Sequence, residues 1–508
     1  MSLPDLIEIV PLDKPVRAEI TVPGSKSITN RALILAALAE GEVTLEGALW
    51  SEDTQIMVEC LQELGFMMNV APDPNEVCNR TVTVYGQGGR VPSGGTEERP
   101  LELFVGNAGT AARFLAAFVC LGRGVYRLHG APRMHERPQA ALFLALRELG
   151  YQVEAENGND KLPARIWGGA GLPVGQDAQQ RVPTKRSCTV SIEESSQFAS
   201  ALLLGARTGG WEIKVTGENT EESPYVVMTS KLIEAFPKAG GKFQIEPDAS
   251  SGSYFWAAGT LNMETAGSLD TQTLIRQTRQ CGGFTISGSL SYSVTVAHWL
   301  RDSGWQIDAR SRPHLAGLLL HQVRLPGLEE IGVMEHWSKD LRERQGREHE
   351  QYLEQFYAEH GLPRISRRTN LGDSIMTVIV LAPLAHYQIQ FTDLGRLRVQ
   401  ECERVAALRT ELAKCGAKVI EEGDTLTVYP SKLHGAEIET YNDHRMAMCF
   451  AILGLKVPGI KIKNPACVKK TFPNFFQKLA APPPQGLGAA IRDAKTGRKL
   501  ELTELFAD

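Results

Sequence analysis

The stretch VPGSKSITNRALILAALAE, residues 22–40, decides how the chain is read. Pro23 and Gly24 break the strand-like run Ala18–Val22, and from Ser27 the apolar residues fall at helical spacing. Ser25, Lys26 and Ser27 therefore stand at a helix N-terminus. Free N–H groups and the positive dipole end there favour phosphate or carboxylate. Lys26 adds a full charge, and Ser27 and Arg31, four apart, share one helix face. A plain serine cap with solvated cations would use the same residues. The second glycine of a P-loop is missing, so nucleotide binding does not follow.

Outward from this stretch the same design recurs. In LELFVGNAGTAARFLAA (101–117) a strand runs into a turn containing Asn107 and Gly109 and then into a helix. GAPRMHERPQAALFLALRELG (130–150) sets Arg133 and Arg137 beside a helix start marked by Pro138, suited either to a bidentate grip on an anion or to a solvated entrance. SIEESSQFASALLLGA (191–206) offers Ser195, Ser196 and Gln197 ahead of an apolar helix, and Ser223 and Tyr225 follow as further hydroxyls. Asp248 precedes an aromatic helix as cap or ligand, and Asp373 begins another helix in NLGDSIMTVIVLAPLA (370–385). Glu401, Glu403 and Arg404 mark a strand-to-helix junction, and Asp443, His444 and Arg445 crowd the start of an apolar helix. Lys469 and Lys470 close the series.

A second pattern is periodic. LQELGFMMNV (61–70), LRELGYQVEA (146–155), FPKAGGKFQI (236–245), LRDSGWQIDA (300–309) and LAKCGAKVIE (412–421) each read as a helix end, a glycine stop and a strand. Repetition of one supersecondary unit predicts an α/β architecture built from copies, at intervals too uneven for a solenoid. The charge-dense part of 259–370, especially 328–360, reads as solvated surface helices added to a core fold, Gly168 to Ser187 as a surface loop, and Ala480 to Asp508 as a linker and short tail.

The 508 residues, 43% hydrophobic, suffice for two to four domains or two large lobes. A net charge of −5 argues against a general nucleic-acid surface, so anion binding must come from a few focused cations. Apolar runs are short and the N-terminus lacks signal- or transit-peptide character, which predicts a cytoplasmic protein without a membrane span. Nine scattered cysteines without a CxxC pair read as reduced packing thiols, with no zinc site. If the helix starts converge, they supply cations, hydroxyls and the proton carriers Asp373, Glu401 and His444, a site for small polyanions using acid–base chemistry without metal or cofactor.

PGSKSITNRALILAALAEG, GNAGTAARFL, RMHERP, SSQFASALL, DASSGSYF, RVQECERV, YNDHRMAM and KTFP, in this order, resemble the 5-enolpyruvylshikimate-3-phosphate synthase family from about Pro15 to Phe476, most of 259–370 excepted. The resemblance implies a two-lobed inside-out α/β barrel of enolpyruvyl transferase type with three βαβαββ repeats per lobe. One lobe would be 25–247; the other would join 1–24 to 248–508. The implied reaction is attack of the 5-hydroxyl of shikimate 3-phosphate on phosphoenolpyruvate, then loss of phosphate to leave an enolpyruvyl ether. By motif, Lys26, Ser27, Arg31, Ser195, Ser196, Ser223 and Asp373 would hold shikimate 3-phosphate; Asn107 and Tyr225 are further substrate-binding candidates. Lys26, Gly109, Arg133, Gln197, Arg404, Arg445 and Lys470 would hold phosphoenolpyruvate. Asp373 would be the base and Glu401 the acid, supported by His444 and Lys26. The two substrates are the implied partners, with no nucleic acid or membrane, no cofactor, and a monomeric enzyme.

Three departures from the family pattern stand out. Where RVKE is usual the chain has Arg398-Val399-Gln400-Glu401, and Arg396 replaces an asparagine, so Arg396 is expected to restore the charge missing at Gln400. Phe114 follows Arg113 where proline is common, and the resemblance assigns no role to the insertion in 259–370. Two alternatives are weighed. UDP-N-acetylglucosamine enolpyruvyl transferases carry asparagine after the first-motif lysine, where this chain has Ser27. A catalytically silent paralogue binding anionic metabolites would not need the acid–base set Asp373, Glu401, Lys26 and Lys470.

Overall fold

The computed structural model describes residues 3–14, 16–169, 186–217, 223–261, 294–298, 305–306, 308, 363–385 and 387–507. The expected surface helices of 328–360 and the loop 170–185 lie outside the described residues.

Four of the five glycine stops are described. They separate helix Glu52–Glu63 from strand Met68–Pro72, Ala140–Glu148 from Val153–Ala155, Ser223–Ala235 from Gly241–Gln244, and Arg404–Lys414 from Val419–Glu422. Gly65, Gly150, Gly240 and Gly416 hold φ of +89°, +87°, +91° and +89°. Only glycine adopts this left-handed turn without a steric cost, so each stop frees the chain to reverse into the sheet.

Two copies of the unit are complete, over 101–168 and 364–428. In the first, Leu101–Phe104 lies parallel to Gly124–His129, which pairs antiparallel with Ala164–Gly168, itself antiparallel to the edge strand Val153–Ala155. In the second, Arg364–Ser366, Ile389–Thr392, Thr425–Val428 and Val419–Glu422 repeat that order and those directions. Two more sheets follow the same scheme with strands from distant sequence. Gly241–Gln244 lies parallel to Glu40–Leu49 and completes one; the N-terminal strand Leu6–Ile9 lies between Ile460–Lys463 and Ile491–Asp493 in the other. Parallel pairs Arg186–Ser191 with Trp211–Thr216, and Ala18–Ile20 with Val294–Val296, make the remaining sheets. The α/β class and the repeated βαβαββ unit are thus present.

Helices fill the inside. Gly109–Phe118, Ala249–Leu261 and Ile375–Leu381 are buried along their whole length, and His444–Gly454 is buried everywhere except Arg445, as expected of helices apolar on all sides. One apolar core draws on residues between Ile28 and Ile245; the other combines Leu3–Val22 with residues from Tyr254 to Ala507. The chain crosses between the cores twice, side by side: Ser25 N–H donates to Glu246 O (2.8 Å) and Asp248 N–H to Pro23 O (2.8 Å). A Cβ on Gly24 would collide with the Gly47 carbonyl of strand Glu40–Leu49, so only glycine lets the chain pass this strand here. Buried Glu76, from the first core, accepts from Thr21 Oγ1 and Asn474 Nδ2 (2.7 Å each) and pairs with Lys478 (2.7 Å), all from the second.

The segment from Ala480 is not a tail. Ile491–Asp493 pairs with Leu6–Ile9, and Leu487, Ala489, Ile491, Leu500, Leu505 and Ala507 are buried in the second core. A three-residue strand behind a proline run leaves too little periodicity to be read from sequence. Among the described residues no helix is long and apolar enough to cross a membrane.

Candidate active site

The helix starts singled out in the sequence meet in one cleft between the cores. Ser25, Lys26, Ser27 and Arg31 line it from the start of Lys26–Leu38, Thr110 and Arg113 from Gly109–Phe118, and Ser195, Ser196 and Gln197 from Ser196–Gly209. Tyr225 reaches it from Ser223–Ala235. From the facing core come Asp248, Asp373, Arg396, Gln400, Glu401, His444 and Arg445. An adjoining pocket, sharing Arg137, Gln400 and Glu401, is lined by Asp53, Asn107, Arg133, Lys469 and Lys470. Ser223 opens its helix, but its side chain lies outside the described residues. Convergent N-termini on an inner helical layer put positive potential and spare N–H groups where an anion would sit.

Arg404, 1% exposed, is the hub of the second core's wall. Its Nε donates to Asp443 Oδ2 (2.7 Å), its Nη2 to Asp443 Oδ1 (3.2 Å) and Glu401 Oε2 (2.8 Å), and its Nη1 to Gln400; Asp373 Oδ2 lies 3.7 Å away. One guanidinium therefore touches both candidate proton carriers. Asp443 is completely buried and also caps helix His444–Gly454 through Arg445 N–H (2.8 Å). Asp373 pairs with Arg367 (2.8 Å) and Arg445 (3.3 Å). Glu401 pairs with Lys470 (3.3 Å), and across the cleft Lys26 pairs with Asp53 (3.0 Å).

This density of charge shifts the acids and bases. Burial by itself would raise the Asp373 carboxyl, but Arg445, Arg367 and Arg404 outweigh it and hold it far below the usual carboxylate range. Burial likewise opposes ionisation of Glu401, and Arg404 and Lys470 overcome it, holding the group well below its ordinary value. His444 moves the other way from a paired histidine. Burial first, then Arg445, Lys26 and Lys470, hold it well below its usual value against the pull of Glu401, so the imidazole is neutral. Its Nδ1 lies 3.8 Å from Asp443 Oδ1. Burial also works against charge on Lys470, yet Glu401 and Asp53 raise it.

The structure separates the two arginines of RMHERP. Arg133 is 61% exposed and pairs with Glu136 on the surface turn Pro132–Glu136. Arg137 instead turns into the cleft, donates to Asn107 O (3.3 Å), and is lowered by burial. Arg137, not Arg133, is the cation at the junction of the two pockets. Gly109 has no lining role of its own but lies beneath these cations: a Cβ there would stand 2.5 Å from Arg113 Nη1 and 2.7 Å from Arg137 Cζ. Phe114, the departure beside Arg113, packs under the Arg31 guanidinium at 5.2 Å from its ring centroid. Arg31 itself is buried against Thr229 (2.8 Å) and Ser200 (3.0 Å). Arg396 reaches across the cleft to the Glu194 carbonyl.

Several working residues were not anticipated. Arg113 donates to Gln197 Oε1 (2.9 Å) and Gly109 O (3.1 Å), and a position four after Gly109 on a helix is its sequence signal. Asp53 and Arg367 are the partners of Lys26 and Asp373, and no motif of the sequence marks either; Asp443 stood out at its helix start, but its pairing with Arg404, 39 positions earlier, did not.

A family model described as EPSP synthase (3-phosphoshikimate 1-carboxyvinyltransferase) matches residues 11–239 and 363–479. The chain belongs to this family. A 3-phosphoshikimate 1-carboxyvinyltransferase of Trichormus variabilis is 34% identical over 494 residues, covering 94% of this chain and 98% of the relative. A chloroplastic one of Solanum lycopersicum is 32% identical over 501 residues, covering 94% and 84%. Among solved structures, an EPSP synthase from Acinetobacter baumannii superposes with a TM-score of 0.60 at 19% identity, covering 96% of this chain and all of the other. The enolpyruvyl transferase NikO from Streptomyces tendae gives 0.53 at 14%, covering 97% and 99%. At these identities the two structures speak for the family's fold.

Proposed function

We propose that the chain is a 3-phosphoshikimate 1-carboxyvinyltransferase, transferring the enolpyruvyl group of phosphoenolpyruvate to the 5-hydroxyl of shikimate 3-phosphate and releasing phosphate. The observation that carries the reading is the Arg404 guanidinium in reach of both Asp373 and Glu401, inside a ring of helix starts. Two separated acid–base groups on one cationic hub suit a reaction that removes a proton from one substrate and adds one to the other. The cleft between the cores takes shikimate 3-phosphate against Lys26, Ser27, Ser195, Ser196 and Tyr225, with Arg396 supplying charge beside Gln400. The adjoining pocket takes phosphoenolpyruvate against Arg137 and Lys470.

In this reading Asp373 accepts the 5-hydroxyl proton as the oxygen bonds to C2 of phosphoenolpyruvate, and Glu401 protonates C3. Phosphate then leaves C2, carrying off the proton held by Asp373, while C3 returns its proton to Glu401, which closes the balance. With the cleft empty the cations hold both carboxyls ionised. Bound phosphate and carboxylate groups neutralise Arg404, Lys470 and Lys26, so the proton affinity of both rises in the complex, as Glu401 requires to act as an acid. Each well-placed cation on the leaving phosphate contributes roughly 3 kcal/mol of barrier reduction.

The test is phosphate release from phosphoenolpyruvate by purified protein, with and without shikimate 3-phosphate. Release that needs shikimate 3-phosphate and falls roughly 10²–10⁴-fold in Asp373→Asn and in Glu401→Gln is expected. Arg396→Ala should raise the KM for shikimate 3-phosphate about tenfold while sparing that for phosphoenolpyruvate. Wild-type protein that binds both ligands without releasing phosphate would make it a silent paralogue instead.

A further inference from the structure

Residues 305, 306 and 308 fall between the two stretches that the family model matches, yet they bound the cleft. Trp305 stacks on Phe243, centroids 5.9 Å apart and planes 17° from parallel. Gln306 clasps the crossing between the cores. Its Oε1 accepts from Ala249 N–H (2.9 Å), and its Nε2 donates to Glu246 Oε2 and Pro247 O (2.9 Å each). Two residues on, Asp308 is 7% exposed and binds two helix starts at once: Oδ1 accepts from Ser374 N–H (2.7 Å) and Oδ2 from Ser250 Oγ (3.0 Å). Ser374 directly follows Asp373 and precedes helix Ile375–Leu381; Ser250 belongs to Ala249–Leu261. A Cβ on Gly372, just before Asp373, would stand 2.7 Å from Asp308 Oδ2, so the carboxylate presses against the backbone on both sides of Asp373.

A seven-residue helix does not fix its own first turn, because helix nucleation is costly and short helices depend on outside contacts. Both Asp308 oxygens already accept protein donors, which suits a brace better than a substrate contact. We propose that Asp308 is a positioning residue for the transferase reaction. It holds the Ser374 amide, and so sets where the Asp373 carboxylate stands between Arg367 and Arg445, while Gln306 ties this brace to the crossing between the cores. The inference rests on the reading of Asp373 as the base given above, and it assigns work to a stretch between the two segments that the family model matches.

The experiment compares full-length wild type, Asp308→Ala and Asp308→Asn by phosphate release with each substrate varied, alongside thermal unfolding. Asparagine keeps an acceptor for Ser374 N–H and can donate to Ser250 Oγ, so it should keep kcat within about fivefold. Alanine should lower kcat about 10–100-fold, since a misplacement near 1 Å costs about 10²-fold. The KM for phosphoenolpyruvate, bound on the far side of Glu401, should stay within threefold. A wild-type kcat in Asp308→Ala would overturn the proposal, as would Asp308→Asn falling as low as Ala, which would make charge rather than position the cause. Should the alanine variant not fold, Asp308→Glu carries the test: one methylene longer, it displaces the Ser374 amide, and an unchanged kcat would overturn the idea. Absence of shikimate 3-phosphate-dependent release in the wild type would instead refute the reading of the enzyme itself.

Discussion

Gly109→Ala separates the proposed phosphoenolpyruvate site from general stability. The new methyl would stand 2.7 Å from Arg137 Cζ, and an ordinary contact of 3.4 Å requires a retreat of about 0.7 Å; for Arg113 Nη1, at 2.5 Å, the retreat is about 0.9 Å. Both obstacles are the far ends of flexible side chains, and the helix Gly109–Phe118 itself gains from alanine by up to about 1 kcal/mol. Folding therefore changes little. Binding geometry does not escape so lightly, because Arg137 is the cation at the mouth of the adjoining pocket and a shift near 1 Å is worth up to about 10²-fold. Steady-state phosphate release with phosphoenolpyruvate varied at saturating shikimate 3-phosphate should show KM for phosphoenolpyruvate raised about 10–100-fold. The KM for shikimate 3-phosphate should stay within threefold, and Tm within about 3 °C. A KM for phosphoenolpyruvate unchanged within twofold would refute the assignment of Arg137 and its glycine floor to that substrate.

Two further predictions concern stability. His444 is held neutral in the fold, its pKa depressed below that of the unfolded chain, so the unfolded state binds the extra proton first and stability is lost as pH falls below about 6.5. Urea unfolding at pH 6.5 and 5.5 should show a loss of up to about 1 kcal/mol in wild type that His444→Gln does not share; equal losses in both would place the titrating group elsewhere. A stop codon after Ala480 removes the Ile491–Asp493 strand and exposes core positions vacated by Leu487, Ile491, Leu500 and Leu505. At about 1.5–3 kcal/mol per buried side chain this removes roughly 6–12 kcal/mol, as much as a typical protein's whole stability, and the truncated chain should be recovered unfolded or insoluble. A soluble, cooperatively unfolding product would show that the C-terminal segment is dispensable.

What the sequence made legible was local. A serine, an acid or a cation ahead of an apolar helix marks an N-terminus, and the starts quoted from Lys26 to Arg445 do begin helices at the cleft, except that after RMHERP only Arg137, not helix Ala140–Glu148, lines it. The glycine stops were equally clear because a left-handed φ leaves one residue type as the natural choice. The pairings between distant segments were not. Nothing near Lys26 names Asp53, and nothing near Asp373 names Asp308, 65 positions earlier in an irregular stretch. The difference between Arg133 and Arg137 turned on the surface turn Pro132–Glu136, which leaves the first at the exposed rim of the adjoining pocket and swings the second to the junction of both pockets, a backbone detail with no signature in composition.

The internal salt links of the empty cleft have one more consequence. Lys26 and Lys470 already hold Asp53 and Glu401 as resident counter-ions, so on the proposed reading an arriving phosphate or carboxylate would trade places with a tethered anion instead of expelling ions from bulk solution. On the reading of the cleft proposed above, it would act as an ion exchanger at Lys26 and Lys470, while the buried Arg404–Asp443 pair stays in place. Substrate affinity in such a site depends less on ionic strength than the number of cations would suggest, and occupancy itself releases Glu401 from its lysine.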